Sequence, residues 1–175
     1  SLKGFSVDAG GIRFGMGAIK NVGEGAVDSI IEGRIDGPYE TLFDFVSRVD
    51  LKRVNRRVLE ALITSGACDC FGQERSVLFH NVPRALERAQ SAARDKASGQ
   101  TSLFTLLDTQ SEAANTQLTD TYDLDAEPWT DRKRLSLEKD AIGFYVSGHP
   151  LDRFARELDR FVTATSDTVS RMENR

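Results

Sequence analysis

Apolar residues recur along most of this chain at helical spacing and vanish from one long stretch of it. At the start, Phe5, Val7, Ile12 and Phe14 flank Asp8-Ala9-Gly10-Gly11, whose flexible residues favour chain reversal, so a short β-hairpin is predicted. Ala26, Val27, Ile30 and Ile31 then share one helical face after Gly23-Glu24-Gly25, with Gly33 near the end of the pattern. Beyond the break at Gly37-Pro38, Leu42, Phe43, Val46 and Val49 form a second face, with Glu40 and Thr41 suited to its first turn. A third helix follows from Val54, Val58, Leu59, Leu62 and Ile63 and stops at Ser65-Gly66, with Gly66 as its C-terminal cap. From Glu74 to Arg94 the positions Val77, Leu78, Leu86, Ala89 and Ala93 predict a long helix. Pro83, which has no backbone N–H, is expected to break it into two pieces.

Between residues 96 and 128 the periodicity disappears. Ser, Thr, Gln, Asp and Ala leave too little apolar surface there to offset the entropy of ordering, which reads as a flexible linker. One apolar island, Gln100-Thr101-Ser102-Leu103-Phe104 followed by Leu106 and Leu107, interrupts it. After Trp129, Leu135, Leu137, Ala141 and Ile142 mark a helix over 130–145 with Thr130 as N-cap, and Gly148-His149-Pro150 ends it. Leu151, Phe154, Leu158 and Phe161 predict a last helix. The expected fold is mostly α, with a short N-terminal β-hairpin, long helical pieces, the linker and two C-terminal helices. The divisions fall at 1–72, 73–95, 96–128 and 129–175.

Composition narrows the function. The 175 residues are 39% hydrophobic and 29% charged with no run long enough to span a bilayer, and the N-terminus lacks the apolar core of a signal peptide, so a cytoplasmic protein without membrane contact is expected. Cys68 and Cys70, one residue apart, suit neither a disulfide framework nor a four-ligand zinc site, and adding His80 and His149 matches no common zinc spacing. No metal site is expected. The net charge of −4 means that any nucleic-acid contact must come from a local patch or from backbone amides.

Two segments supply such a contact. The run from Ala18 to Ile31, with Lys20-Asn21-Val22-Gly23-Glu24-Gly25 at its turn, resembles a helix-hairpin-helix motif. Glycines let a backbone approach a phosphate closely, and the free N–H groups at the start of the next helix attract the anion without reading base sequence. Around the next connection Arg48, Lys52, Arg53, Arg56 and Arg57 outnumber Asp50 near Leu51-Lys52-Arg53-Val54-Asn55, a basic cluster able to neutralise phosphates. The alternative readings are a glycine-rich helix start that binds nothing and a solvated charged face. The first two helix pairs read as a pseudo-repeat, a tandem helix-hairpin-helix core.

Several blocks resemble, in order, the bacterial DNA polymerase III alpha subunits, C-family replicative polymerases. They are Ile12 to Gly25, Leu42-Phe43-Asp44-Phe45, Val54 to Glu60, Gly66-Ala67-Cys68-Asp69 and, most specific, Leu137 to Leu151. The resemblance covers nearly the whole chain, from the end of the fingers through the clamp-binding region. It implies duplex (primer-template) contacts from Lys20, Asn21, Val22, Gly23, Gly25, Lys52, Arg53, Asn55, Arg56 and Arg57. It also implies that Gln100, Leu103 and Phe104 form a sliding-clamp-binding pentapeptide, and that other domains of the same polymerase chain are partners. Two positions depart from the helix-hairpin-helix pattern, Asn21 where the hairpin often has its first glycine and Val27 where a small residue is usual, and Glu24 puts a negative charge beside the expected phosphate.

The family's polymerase active site, with palm aspartates that bind Mg²⁺, lies outside this segment. The full-length parent is therefore expected to be a DNA-directed DNA polymerase, a nucleotidyltransferase, and this segment to hold no cofactor and no catalytic residue. Asp120, Asp123 and Asp125 imitate part of a calcium loop but lack its glycine and distal glutamate, and no nucleophile elbow or P-loop is present. His149 and Trp129 read as structural residues, Trp129 docking the returning chain onto the helices. The competing readings are a non-enzymatic helix-hairpin-helix module of a repair or recombination factor and a structural spacer within the polymerase.

Overall fold

The computed structural model describes residues 3–8, 11–97 and 121–164, and the fold is mostly α-helical. Strands β1 (Ser6–Asp8) and β2 (Gly11–Arg13) pair antiparallel with Val7 opposite Ile12, where the hairpin was expected. A 3-10 turn, Met16–Ala18, leads into helix α1 (Glu24–Glu32), followed by α2 (Leu42–Arg48), α3 (Arg56–Thr64) and α4 (Arg75–Ala97). Helices α5 (Asp131–Ile142) and α6 (Ala155–Phe161) complete the described α-helices. Among the described residues no helix is long and apolar enough to cross a membrane.

Each local stop signal acts through an identifiable bond. Thr41 and Thr130 cap α2 and α5 by accepting from the N–H groups of Asp44 and Lys133. At the end of α3, Gly66 adopts φ +83° and donates to the Ile63 carbonyl while Ala67 donates to Leu62, the paired bonds of a Schellman cap. Gly66 has a second reason to be glycine: a Cβ there would lie 2.3 Å from Arg75 Nη2. Gly15 is held by packing instead, since a Cβ would lie 2.4 Å from the backbone of Gly4 where the hairpin crosses the 3-10 turn.

The core is one cluster in which Ile30, Leu42, Leu59, Ile63, Leu78 and Val82 are fully or almost fully buried, each worth roughly 1.5–3 kcal/mol of apolar transfer. Helix α4 packs on both α2 and α3, and it corrects the expectation of two helical pieces: Arg75–Ala97 runs as one helix through Pro83. The missing N–H costs the Phe79 carbonyl its helical donor, but Pro83 itself is exposed while Leu78, Val82 and Ala85, on both sides of it, are locked in the core. The last helix is also shorter than expected, because residues 152–154 form a 3-10 turn before α6, and Leu151 and Phe161 are exposed. Trp129 docks edge-on against Phe79 of α4 with ring centroids 5.5 Å apart. His149 has a structural role in its turn, where its Nδ1 accepts from Leu151 N–H and its own N–H donates to Asp152.

Helix α5 departs most from its apolar pattern. Leu135 and Ala141 are buried as expected, but the residue between them on the same face is Glu138, which is fully buried. Its Oε2 accepts from Arg75 Nη1 at 2.9 Å, and its Oε1 accepts the backbone N–H groups of Val146 and Ser147. Arg75 in turn donates to both carboxylate oxygens of Asp69 and to the Thr64 carbonyl. No buried side-chain polar atom among the described residues lacks a partner. Burial pushes Glu138 upward, yet the Arg75 guanidinium and the amides of Ser147 and Val146 outweigh it and hold the carboxyl at about 2.

Glu138→Ala would leave Arg75 without one of its two carboxylates and two amides without an acceptor. Urea denaturation at neutral pH should show a loss of roughly 3–5 kcal/mol; a loss below ~1 kcal/mol would mean the pair is dispensable. The sign of the pH dependence follows from the lowered carboxyl. An unfolded glutamate binds its proton near its ordinary value of 4.5, so Glu138's contribution is present above that pH and disappears as pH falls toward 2. Glu138→Gln should flatten that part of the acid limb.

Candidate nucleic-acid interface

The two hairpin tips are built alike. Val22 precedes the N-cap Gly23 of α1, and Val54 precedes the N-cap Asn55 of α3, both valines being buried. Val27 and Leu59, four positions into their helices, are buried as well, so each entry has the arrangement of a hydrophobic staple. Val27 thus serves the core at the position where the family pattern favours a small residue. The staples fix the angle at which each chain enters its helix.

What this leaves open is backbone. Gly23 offers no side-chain cap, and among the described residues the N–H groups of Glu24 and Gly25 have no carbonyl partner. Asn55 spends its Oδ1 on Val58 N–H, and among the described residues the amides of Arg56 and Arg57 are open in the same way. Unpartnered amides at a helix start carry the positive end of the helix dipole. The two tips lie side by side: Ser29 Oγ of α1 accepts from Asp50 N–H at 2.8 Å, and Arg53 Cδ lies 3.7 Å from a Cβ built on Gly25.

Asn21 explains itself by its backbone. It is the one non-glycine residue with positive φ among the described residues, at +70°, a conformation that asparagine tolerates better than other side chains. The glycine of the family pattern is replaced by the residue type best able to adopt glycine's geometry. Glu24 pairs with Lys3, whose Nζ lies 3.2 Å from its carboxylate and offsets its charge beside the tip. Lys20 is exposed, while its N–H donates to the Ala141 carbonyl at the end of α5, so α5 buttresses the first hairpin.

The basic cluster is smaller than the sequence suggests. Arg48 faces inward, its guanidinium donating to the carbonyls of Gly33, Gly37 and Pro38 and to Asp44, and stacking 4.6 Å above Tyr39. It ends α1 and is removed from the candidate set. Arg53 lies 3.5 Å from Asp50 and Arg56 2.7 Å from Glu60, whereas Lys52 and Arg57 are exposed with no ion pair among the described residues. Val22 contributes only backbone, since its side chain is core. Gln100, Leu103 and Phe104 lie outside the described residues.

A helix-hairpin-helix motif model matches residues 1–78, the span that holds both tips. The chain is 40% identical over 171 residues to DNA polymerase III subunit alpha of Pseudomonas fluorescens, and 40% identical over 156 residues to that of Escherichia coli strain K12. These alignments cover 88% and 89% of the chain. The chain belongs to the DNA polymerase III alpha-subunit family. The alpha subunit of Haemophilus influenzae is 38% identical over 91% of the chain. The chain spans only 13–14% of the length of these three alpha subunits.

Within this alpha-subunit segment the Asp123 carboxylate of the 121–125 strap is spent locally. Asp123 Oδ1 accepts from Asp125 N–H, and its Oδ2 lies 3.3 Å from His80 Nε2. Among the described residues no group of three or more His, Cys, Asp or Glu is placed to hold a metal ion. The strap is anchored by Asn81, missed by the apolar pattern, whose side-chain amide exchanges two hydrogen bonds with the backbone of Asp123. Tyr122 adds another anchor, its hydroxyl oxygen accepting from Leu42 N–H.

Asn21 offers a direct check on the hairpin geometry. Asn21→Gly should leave stability within about 0.5 kcal/mol, whereas Asn21→Ala should cost about 1 kcal/mol because its Cβ resists the left-handed region. Equal urea midpoints for the two variants would contradict the φ assigned here.

Proposed function

We propose that this chain is the part of a replicative polymerase that grips the duplex backbone and ties the enzyme to its sliding clamp. The observation that carries the first half is the pair of adjacent tips, each presenting two helix-start amides without a partner among the described residues, with Lys52 and Arg57 beside them. N–H groups at that position donate to a phosphate oxygen, and the two cations add charge without base readout. An acidic protein can hold DNA this way because the contact depends on local donors and not on net charge. The helix-hairpin-helix match and the alpha-subunit relatives support the same reading.

The second half rests on sequence alone. Gln100-Thr101-Ser102-Leu103-Phe104 offers one amide and two adjacent apolar side chains, a pattern suited to dropping Leu103 and Phe104 into a pocket with Gln100 hydrogen-bonding at its edge. Burying the two would contribute roughly 3–6 kcal/mol before ordering costs, a releasable tether. Two weak contacts on one chain reinforce each other by effective concentration. The chemistry of nucleotide addition is assigned to the rest of the parent polymerase.

Two measurements separate the halves. Lys52→Glu with Arg57→Glu should weaken binding of the 175-residue chain to a blunt duplex and lower the slope of log K against log salt by about 2, while clamp binding stays unchanged. Leu103→Ala with Phe104→Ala should abolish clamp binding in a pull-down and leave duplex affinity intact. A clamp affinity that survives the double alanine change removes the tether.

A further inference from the structure

The second hairpin tip stands between two features. On one side Arg53 reaches Gly25 of the first tip, and on the other the tip faces the C-terminal half of α4 across an open groove of about 490 Å³. Leu51 and Lys52 line the tip side of that groove, and Ala89, Gln90, Ala93 and Arg94 the α4 side.

Its chemistry is that of a nucleic-acid backbone site. Ala89 and Ala93, one helical turn apart, keep α4 shallow, so the floor is apolar and of a size to take a deoxyribose. A cation stands at each edge. Among the described residues Lys52 has no ion pair, and Arg94 uses only its Nε, on the Gln90 carbonyl of its own helix, so that four of the five donors of its guanidinium have no partner there. The acid on the groove, Asp50, is occupied: one oxygen accepts from Lys52 N–H and the other faces Arg53. The nearby Arg88 lies 5.5 Å over the Phe43 ring and belongs to the packing of α2.

We propose that the duplex footprint extends past the hairpins into this groove, with the sugar–phosphate backbone lying across Ala89 and Ala93 and phosphates held by Lys52 and Arg94. The inference rests on the duplex-gripping reading above and lengthens it: first tip, second tip and α4 become three successive points along one backbone. Continuity with the tips and the matched charge favour DNA over an apolar peptide, which would leave Lys52 and Arg94 unanswered.

The test is duplex binding by the 175-residue chain at several salt concentrations, with urea midpoints confirming that each variant is folded. Arg94→Gln should lower the slope of log K against log salt by about 1. Ala93→Glu, which adds a carboxylate to an exposed position without removing any packing, should weaken binding severalfold. Arg84→Gln removes the same charge from an exposed position of α4 outside the groove and should change nothing. If Arg57→Gln weakens binding while Arg94→Gln and Ala93→Glu do not, the groove is overturned and the hairpin reading stands. Equal effects of Arg84→Gln and Arg94→Gln would also overturn it, since a diffuse field would then explain both. If Arg57→Gln has no effect, the hairpin reading fails and the groove fails with it.

Discussion

The buried contact between Arg75 and Glu138 ties together parts of the chain that no local signal connects. Arg75 opens α4, reaches the end of α3 through the Thr64 carbonyl, and meets a carboxylate on α5 that also holds the loop at Val146 and Ser147. Two charges removed from water cost several kcal/mol each, and they persist here because every partner is supplied. The contact sets where α5 lies, and the end of α5 receives Lys20 N–H from the first hairpin. The first hairpin is therefore linked, through α5, to a buried ion pair. Burying a charged pair in place of two apolar side chains favours one arrangement of α5 over sliding alternatives, because a shifted helix would leave the guanidinium unpaired.

The exposed grip follows a complementary logic. Core residues are used to aim backbone: Val22, Val27, Val54 and Leu59 fix the helix entries, Arg48 closes the end of α1, and Ser29 joins the two tips. Few side chains remain for the ligand. A site made chiefly of amides cannot discriminate bases and does not need a basic protein, which reconciles a net charge of −4 with a backbone-binding role. In the proposed grip the first tip offers open amides beside the Lys3–Glu24 ion pair, and the second adds Lys52 and Arg57.

How much of this was legible in the sequence depends on the range of the interaction. The hairpin strands, the Thr130 cap and the Gly66 stop were readable because their partners lie within a few residues. Pro83 misled because its local penalty is small beside the core that holds α4 on either side of it. Arg48 misled because counting cations along a chain does not reveal which are spent on carbonyls. Glu138 was invisible for the plainest reason: its partner Arg75 is 63 residues away. A signal was present, since Glu138 lies three residues from both Leu135 and Ala141 and so interrupts an apolar stripe. Asn21 was flagged as a departure, and only its φ of +70° showed that the departure preserves the turn.

The central claim is that two helix starts act as one phosphate-binding unit. It is tested most directly by following backbone amide resonances of the ¹⁵N-labelled chain while a short duplex is titrated in. The account predicts that the amides of Glu24, Gly25, Arg56 and Arg57 shift together and saturate along one curve. Shifts confined to one tip, or four amides left unmoved while the duplex binds elsewhere, would contradict it.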